Sequence, residues 1–381
     1  MAGRRRFGSI RKLPSGRYQV RYVGPDGIER PAPETFATKT EAGQWLSKTE
    51  AEILNDDWIN PDAGKILLRD YAASWISERP KIKPRTRKGY RDLLKNQIVP
   101  RFGQICLGDL AINEIKASHV RRWYKALGDA GMGEPTIARA YQLLKSIMNT
   151  AALDDEAIRR NPCRIEGGAQ NDTPERPTLT VEEVFTVAGE VPLRFQLLVL
   201  LATFASVRWG ELVALERRDI DLGSCMIQVR RTATEVGGEP IFTGTPKSAA
   251  GVRDVTFPEE ILPELVYHLD TYVGPEPTAR VFASWEGGYL HRSNFNKVWI
   301  ETRKALGLPD VHFHDLRHTG NTLGSENGAT LQDLMARMGH STMRAALIYL
   351  HKTRGGDRRI AQTLGEKIAE ARKPKEDPPR T

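Results

Sequence analysis

The first sixty residues alternate apolar and polar positions in short runs broken by turn residues. Tyr18-Gln19-Val20-Arg21-Tyr22-Val23 has the two-residue period of a strand with one buried face, and Gly24-Pro25-Asp26-Gly27 ends it in a turn. Glu34-Thr35-Phe36 reads as a further strand. Thr38-Lys39-Thr40-Glu41 sets a hydroxyl three residues ahead of a carboxylate, a helix-start signature, so Ala42 to Ile53 is predicted helical. From residue 66 to about 165 the apolar period lengthens to that of a helix. Leu67, Tyr71 and Trp75 share one face, Val120, Trp123, Tyr124 and Leu127 another, and Pro135–Ala152 forms a long helix. From 178 to about 370 the pattern is again mainly helical, and Leu197–Phe204 is apolar enough for a buried helix. Cys225–Phe257 interrupts it: Met226–Val229 and Val252–Phe257 read as strands, with a turn at Gly237-Gly238. Trp45, Trp58, Trp75 and Trp123 fall within apolar periodicity and are assigned to cores.

The expected fold is multidomain and mainly α with small β elements. Asn60-Pro61-Asp62-Ala63-Gly64 and Gly167–Pro177 read as linkers. They divide the chain into a small α/β domain (1–60), a helical domain (66–166) and a mixed, mainly α domain (176–370). The polar, proline-rich end, 371–381, reads as a disordered tail.

Composition narrows the function. No apolar run reaches the roughly 18–20 residues that span a bilayer, and no apolar stretch follows the basic N-terminus as in a signal peptide. The 3 cysteines lie far apart without CxxC spacing, which argues against a disulfide framework or zinc site and fits a reducing cytoplasm. The net charge of +8 is unevenly spread. Arg79–Arg101 carries nine lysines and arginines, among them Arg85, Arg87 and Lys88, against the single acid Asp92. Arg139 and Lys145 add positive charge to the long helix. Arg4, Arg5, Arg6, Arg11 and Lys12 do so at the start of the chain. Clusters of this kind either grip a nucleic-acid backbone or stay solvated, and the arginine-rich start also reads as a solubilising tail.

The third domain holds four short motifs that are weak singly. They are Ser206-Val207-Arg208-Trp209-Gly210-Glu211-Leu212; Thr245-Pro246-Lys247-Ser248 with Arg253 following; His312-Phe313-His314-Asp315-Leu316-Arg317-His318-Thr319; and Met338-Gly339-His340-Ser341 with Tyr349 nine residues after His340. Breaking a phosphodiester needs a nucleophile, neutralisation of the crowded phosphorus centre and a proton for the departing oxygen. A phenol with a pKa near 10 costs about 4 kcal/mol to ionise at pH 7 unless a base or positive charge assists. Arg208 and Arg317 supply planar, permanently charged forks for phosphate oxygens. His314 stands three residues before Arg317, on the same helical face. His312, His314 and His318 also have metal-ligand spacing, but no acidic ligand is paired with them and Arg317 would sit among them.

In this order the motifs resemble those of the tyrosine recombinase (phage integrase) family, most of all the integrases of actinobacterial phages and integrative elements. The resemblance implies an arm-binding N-terminal domain, a SAM-like core-binding domain and a catalytic domain of the DNA breaking-rejoining type. It makes Tyr349 the nucleophile, forming a 3′-phosphotyrosine, and His314 its general base. It makes Lys247 the acid for the leaving 5′-hydroxyl and His340 a donor to the phosphate, beside Arg208 and Arg317. Glu211 is implied as a supporting, orienting residue and His318 as a structural one. No metal, ATP or other cofactor is expected. The implied partners are duplex DNA at core and arm-type attachment sites, three further copies of the chain in a tetramer, an integration host factor and an excisionase. The implied location is a bacterial cytoplasm, at the nucleoid when bound. Ile360, Leu364 and Ile368 form one stripe on an amphipathic segment, 358–369, which the resemblance docks on a neighbouring protomer and which otherwise packs on its own domain. The sequence departs from the family at Ser206-Val207, where Gly-Leu is usual, and at Gly320-Asn321, where Phe-Ala is more typical. A type IB topoisomerase-like enzyme and a non-catalytic DNA-binding regulator remain alternatives.

Overall fold

Three antiparallel strands come first in the structure, a computed structural model that describes residues 6–170, 176–237, 239–246 and 248–343, with Leu364, Gly365 and Ile368. Arg4, Arg5, Lys247, Tyr349, residues 371–381 and most of 358–369 lie outside the described residues. The chain divides into two compact units, Met1–Thr173 and Pro174–Thr381.

In the first unit β1 (Ser9–Lys12), β2 (Tyr18–Val23) and β3 (Glu29–Pro31) form a sheet in that order. Val20 and Tyr22 are buried on one face, as the two-residue period requires, in a small core with Ala42 and Leu46 of α1 (Lys39–Leu54). The Thr38 hydroxyl accepts from the Glu41 amide at 3.1 Å, and the Glu41 carboxylate accepts from the Thr38 amide at 3.3 Å. The third strand is Glu29–Pro31, not Glu34–Phe36. Gly27, at φ +77°, reverses the chain so soon that Val23 already faces Glu29 and Tyr22 faces Arg30. Phe36 makes only an isolated bridge to Tyr18.

The same unit has a second core, built by α2 (Leu68–Ser77), α3 (Pro84–Leu93), α4 (Ala117–Asp129) and α5 (Glu134–Leu153). Leu67 is the N-cap of α2, so the buried face runs one residue later than its spacing suggested: Leu68, Ala72, Trp75 and Ile76. A π-helical turn, Leu94–Ile98, prolongs α3 and turns Leu94 and Ile98 inward, and the Trp123 indole donates to the Gln97 carbonyl at 2.8 Å. α3 itself has no buried residue.

The second unit is organised on α7 (Leu193–Phe204), whose residues Leu197–Thr203 are all buried. It packs against α6 (Val181–Glu190), α9 (Leu262–Tyr272) and α11 (Phe313–Glu326). α8 (Trp209–Val213) follows it directly, and α10 (Arg292–Ala305) and α12 (Leu331–Met338) complete the helices used below. Between α8 and α9 lie β4 (Ile220–Asp221), β5 (Met226–Val229) and β8 (Arg253–Thr256) in one antiparallel sheet, and the hairpin β6 (Thr232–Thr234) and β7 (Phe242–Gly244). α11 approaches α7 so closely that a Cβ on Gly320 would lie 1.9 Å from the Thr203 carbonyl oxygen. That contact explains glycine at a position where the family resemblance expected a larger residue. No helix of the described residues is long and apolar enough to cross a membrane.

Candidate active site

α7 ends in a buried turn. Ser206, fully buried, takes φ +51°, a left-handed backbone that costs a residue with a side chain roughly 1–2 kcal/mol. This is the position where glycine is usual, and the φ value is the reason. The turn places Arg208 as the N-cap of α8. Its backbone amide donates to Glu211 Oε2 at 3.0 Å and its Nη1 to Glu211 Oε1 at 2.9 Å. The same turn offers the Ser206 carbonyl to Nη1 of Arg317, 111 positions along the chain. Arg317, only 3% exposed, donates Nη2 to the Met338 carbonyl at 2.6 Å, where α12 ends. Gly339 follows at φ +61° as a left-handed cap, and its carbonyl accepts from Arg208 Nη2 at 3.2 Å. Side-chain-to-backbone bonds therefore draw the motifs of Arg208, Arg317 and His340 together.

Glu211 is the carboxylate of this cluster, 3% exposed. Burial by itself would push its pKa up. The hydrogen bond and charge of Arg253, with the charge of Arg208, outweigh burial and hold it below the ordinary carboxylate range. Loss of hydration beside the neighbouring side chains and the positive field push both rings down to about 4, although His314 as a residue is still exposed and His340 is half-buried. For His314 the field comes from His318, Arg317, Arg292 and Arg208; for His340 it comes from Arg317, Arg208, Arg253 and His318. Both rings are therefore neutral at pH 7, and the buried Nδ1 of His340 has no partner among the described residues. The His314 and His318 rings meet edge-on at 5.1 Å. Two neutral imidazoles among guanidiniums and a single buried carboxylate make a site poised for an anion.

These shifts set a pH dependence. Between about 6.5 and about 4 the unfolded chain binds protons that the two folded rings refuse, so stability falls as pH drops through that window and is fully regained above it. The kcat/KM for DNA cleavage, which reports the free protein, is expected to hold nearly constant from pH 8 to about 6, because neither imidazole charges there. NMR titration of the two rings in free protein checks this; midpoints near 6.5 would contradict the loss of hydration and the field described.

The structure brings together Arg208, Glu211, His314, Arg317 and His340. Lys247 and Tyr349 lie outside the described residues. Arg253 had no role legible in its motif, yet it contacts Glu211. Arg292, which shifts His314, stands at the positive N-terminal end of α10, an electrostatically unfavourable place for a cation that the sequence alone could have flagged. Among the expected DNA contacts, Arg6, Arg11, Lys12, Arg85, Arg139 and Lys145 are exposed. Lys88 pairs with Asp92 at 2.9 Å. Arg87 departs from the expectation: its guanidinium donates to the carbonyls of Ile76, Ser77 and Arg79 and so caps the end of α2. Among the described residues no group of three or more His, Cys, Asp or Glu is arranged to hold a metal ion.

Comparison with known proteins bears on this geometry. The fold resembles that of the Tn1549 transposon integrase solved with a circular intermediate DNA, over 78% of this chain and 99% of that one, at a TM-score of 0.69 and 21% identity. A lambda integrase dimer bound to a core site matches over 91% of this chain and 96% of that one, at a TM-score of 0.56 and 16% identity. These likenesses establish the fold. Three family descriptions match in sequence: the phage integrase N-terminal domain at 6–55, the phage integrase N-terminal SAM-like domain at 67–128 and the phage integrase family at 180–355. The putative prophage phiRv2 integrase of Mycobacterium tuberculosis is 41% identical over 96% of this chain and 97% of its own length. The integrase of Mycobacterium phage D29 is 35% identical over 96% and 98%. The chain belongs to the phage integrase family, whose members carry out site-specific DNA recombination. These relatives do not favour the topoisomerase or regulator alternatives.

Proposed function

We propose that the cluster of Arg208, Glu211, His314, Arg317 and His340 is the strand-cleavage centre, with Tyr349 as nucleophile and Lys247 as general acid. The phenolic oxygen of Tyr349 attacks the scissile phosphorus while His314 accepts its proton. The bond to the 5′-oxygen breaks, and Lys247 protonates that oxygen. The 3′-phosphate is left on Tyr349, so the bond energy is kept and religation needs no ATP. Arg208 and Arg317 hold the non-bridging oxygens, and His340 donates to one of them. Together they stabilise the charge that develops in the transition state, work that a metal does in other phosphoryl-transfer sites. The depressed pKa of His314 keeps it a free base; an incoming phosphate offsets the positive field and strengthens that base.

The single observation that carries this reading is the convergence of Arg208 and Arg317 on the adjacent backbone carbonyls of Gly339 and Met338, just before His340, beside two neutral histidines. Its test uses a nicked duplex whose cleaved fragment diffuses away, so that covalent complexes accumulate. In EDTA the complex is expected to form undiminished, with the DNA on the peptide containing Tyr349. Linkage to another side chain, or complete dependence on added Mg²⁺, refutes the reading.

Duplex DNA is the partner this chemistry requires, and the exposed basic residues support it. We further infer a tetramer on two duplexes. Residues 1–60 would bind arm-type sites, and 66–166 and 176–370 would each contact core-site DNA, in a bacterial cytoplasm. An integration host factor and an excisionase are the accessory partners of this reading. Charge on the backbone makes the affinity fall steeply with salt.

A further inference from the structure

We propose that Arg253 is a positioning residue for strand cleavage, holding Glu211 so that Arg208 stays available to the phosphate. Arg253 is at the start of β8 and 9% exposed. Its guanidinium makes three bonds of good length, two to distant segments and one back to its own. Nη2 donates to Glu211 Oε2 at 2.9 Å, Nε to the Arg337 carbonyl at 2.7 Å, and Nη1 to the Gly251 carbonyl at 3.0 Å. Gly251 lies four residues after Lys247 in the chain, and Arg337 three residues before His340. One side chain thus ties together the end of the segment that carries Lys247, the end of the helix that leads to His340 and the carboxylate beside Arg208.

The division of Glu211 between two arginines is what matters. A buried carboxylate demands full compensation. Arg253, itself almost wholly buried, satisfies Oε2 from the protein side, and Arg208, with its side chain 34% exposed, needs to give Oε1 only one arm of its fork. Without Arg253, Glu211 has Arg208 as its remaining ion-pair partner among the described residues. The carboxylate then draws that guanidinium inward, competing with the phosphate. Packing reinforces the arrangement, because a Cβ on Gly339 would come within 3.2 Å of the Arg253 Cδ. The Ala250 carbonyl and the Gly251 Cα lie against the same side of Gly339, at 2.7 and 3.1 Å from that Cβ position.

This inference rests on the cleavage-centre reading above, and the test separates the two. Single-turnover cleavage, DNA affinity and melting are measured for Arg208→Ala, Arg253→Met, Arg253→Lys and Glu211→Gln, and for Arg253→Met combined with Glu211→Gln. Arg253→Met is expected to slow cleavage about 100-fold with DNA affinity within about 3-fold, and to cost only about 10-fold once Glu211 is neutral, because interacting residues lose independence. Arg253→Lys, which keeps a cation for Glu211, is expected to recover part of the rate with near-native melting, and it carries the test should the methionine variant not fold. An equal loss in both Glu211 backgrounds, a loss that merely follows DNA affinity, or a lysine variant no faster than methionine overturns the proposal. Full cleavage by Arg208→Ala would instead overturn the cleavage-centre reading, and this inference with it.

Discussion

Tyr349→Phe is expected to bind its DNA with an affinity within about twofold of the parent chain and to form no covalent complex at all. The substitution removes one oxygen and keeps the ring, so any packing role of the side chain survives while the proposed nucleophile does not. Without it, water is the only attacking group left, and the cluster still offers two guanidiniums to the phosphate. Removing a nucleophile costs more than about 10⁴-fold in rate, and the transition-state stabilisation that remains leaves at most a slow hydrolysed nick. Denaturing gels separate the outcomes, since an adduct migrates with the protein and a nick does not. Cleavage by the phenylalanine variant with DNA still attached to protein would mean that another side chain attacks.

Legibility in the sequence followed the range of the interaction. Elements fixed by local rules were readable: the capping pair Thr38 and Glu41, the alternation of β2, the strand Met226–Val229 and the apolar run of α7. Third-strand placement failed because apolar content pointed to Phe36, whereas the geometry of the turn at Gly27 fixed the pairing on polar residues and a proline. At α2 the periodicity was right, but Leu67 caps the helix instead of entering it, so the face rotated by one residue. Order and residue type also singled out Arg208, His314, Arg317 and His340, which the fold brings together. Two roles stayed hidden. Arg87 counts as a charge in any tally of basic residues, and only the fold reveals that carbonyls occupy it. Arg253 bonds across 42 and 84 positions, separations with no periodic trace. The odd residues Ser206 and Gly320 were visible as departures, and their cause was not. One turns in a left-handed conformation to meet Arg317, and the other lets α11 touch the carbonyl of Thr203.

Arg317→Ala is expected to lose both activity and stability, and the two losses have separate causes. Removing a preorganised donor to the developing phosphate charge costs about 10²–10³ in rate, and here a full charge leaves with the fork, so the loss should reach about 10³-fold or more. The fork also serves the carbonyls of Ser206 and Met338. Leaving buried acceptors unpaired costs about 1–3 kcal/mol each, partly offset by relief of repulsion among neighbouring arginines, so a net loss of about 3 kcal/mol and a melting point lower by roughly 10 °C are expected. Arg317→Lys keeps the charge but not the paired geometry, so it should recover more stability than rate. A third measurement does not depend on cleavage. Arg317 contributes to the positive field on both His314 and His340, so in the alanine variant both rings should titrate upward from about 4 toward the ordinary histidine value, His340 more strongly because Arg317 is the first charge acting on it after burial. An unchanged His340 titration in a folded Arg317→Ala protein would show that the two side chains do not share a field, and the cluster would have to be redrawn.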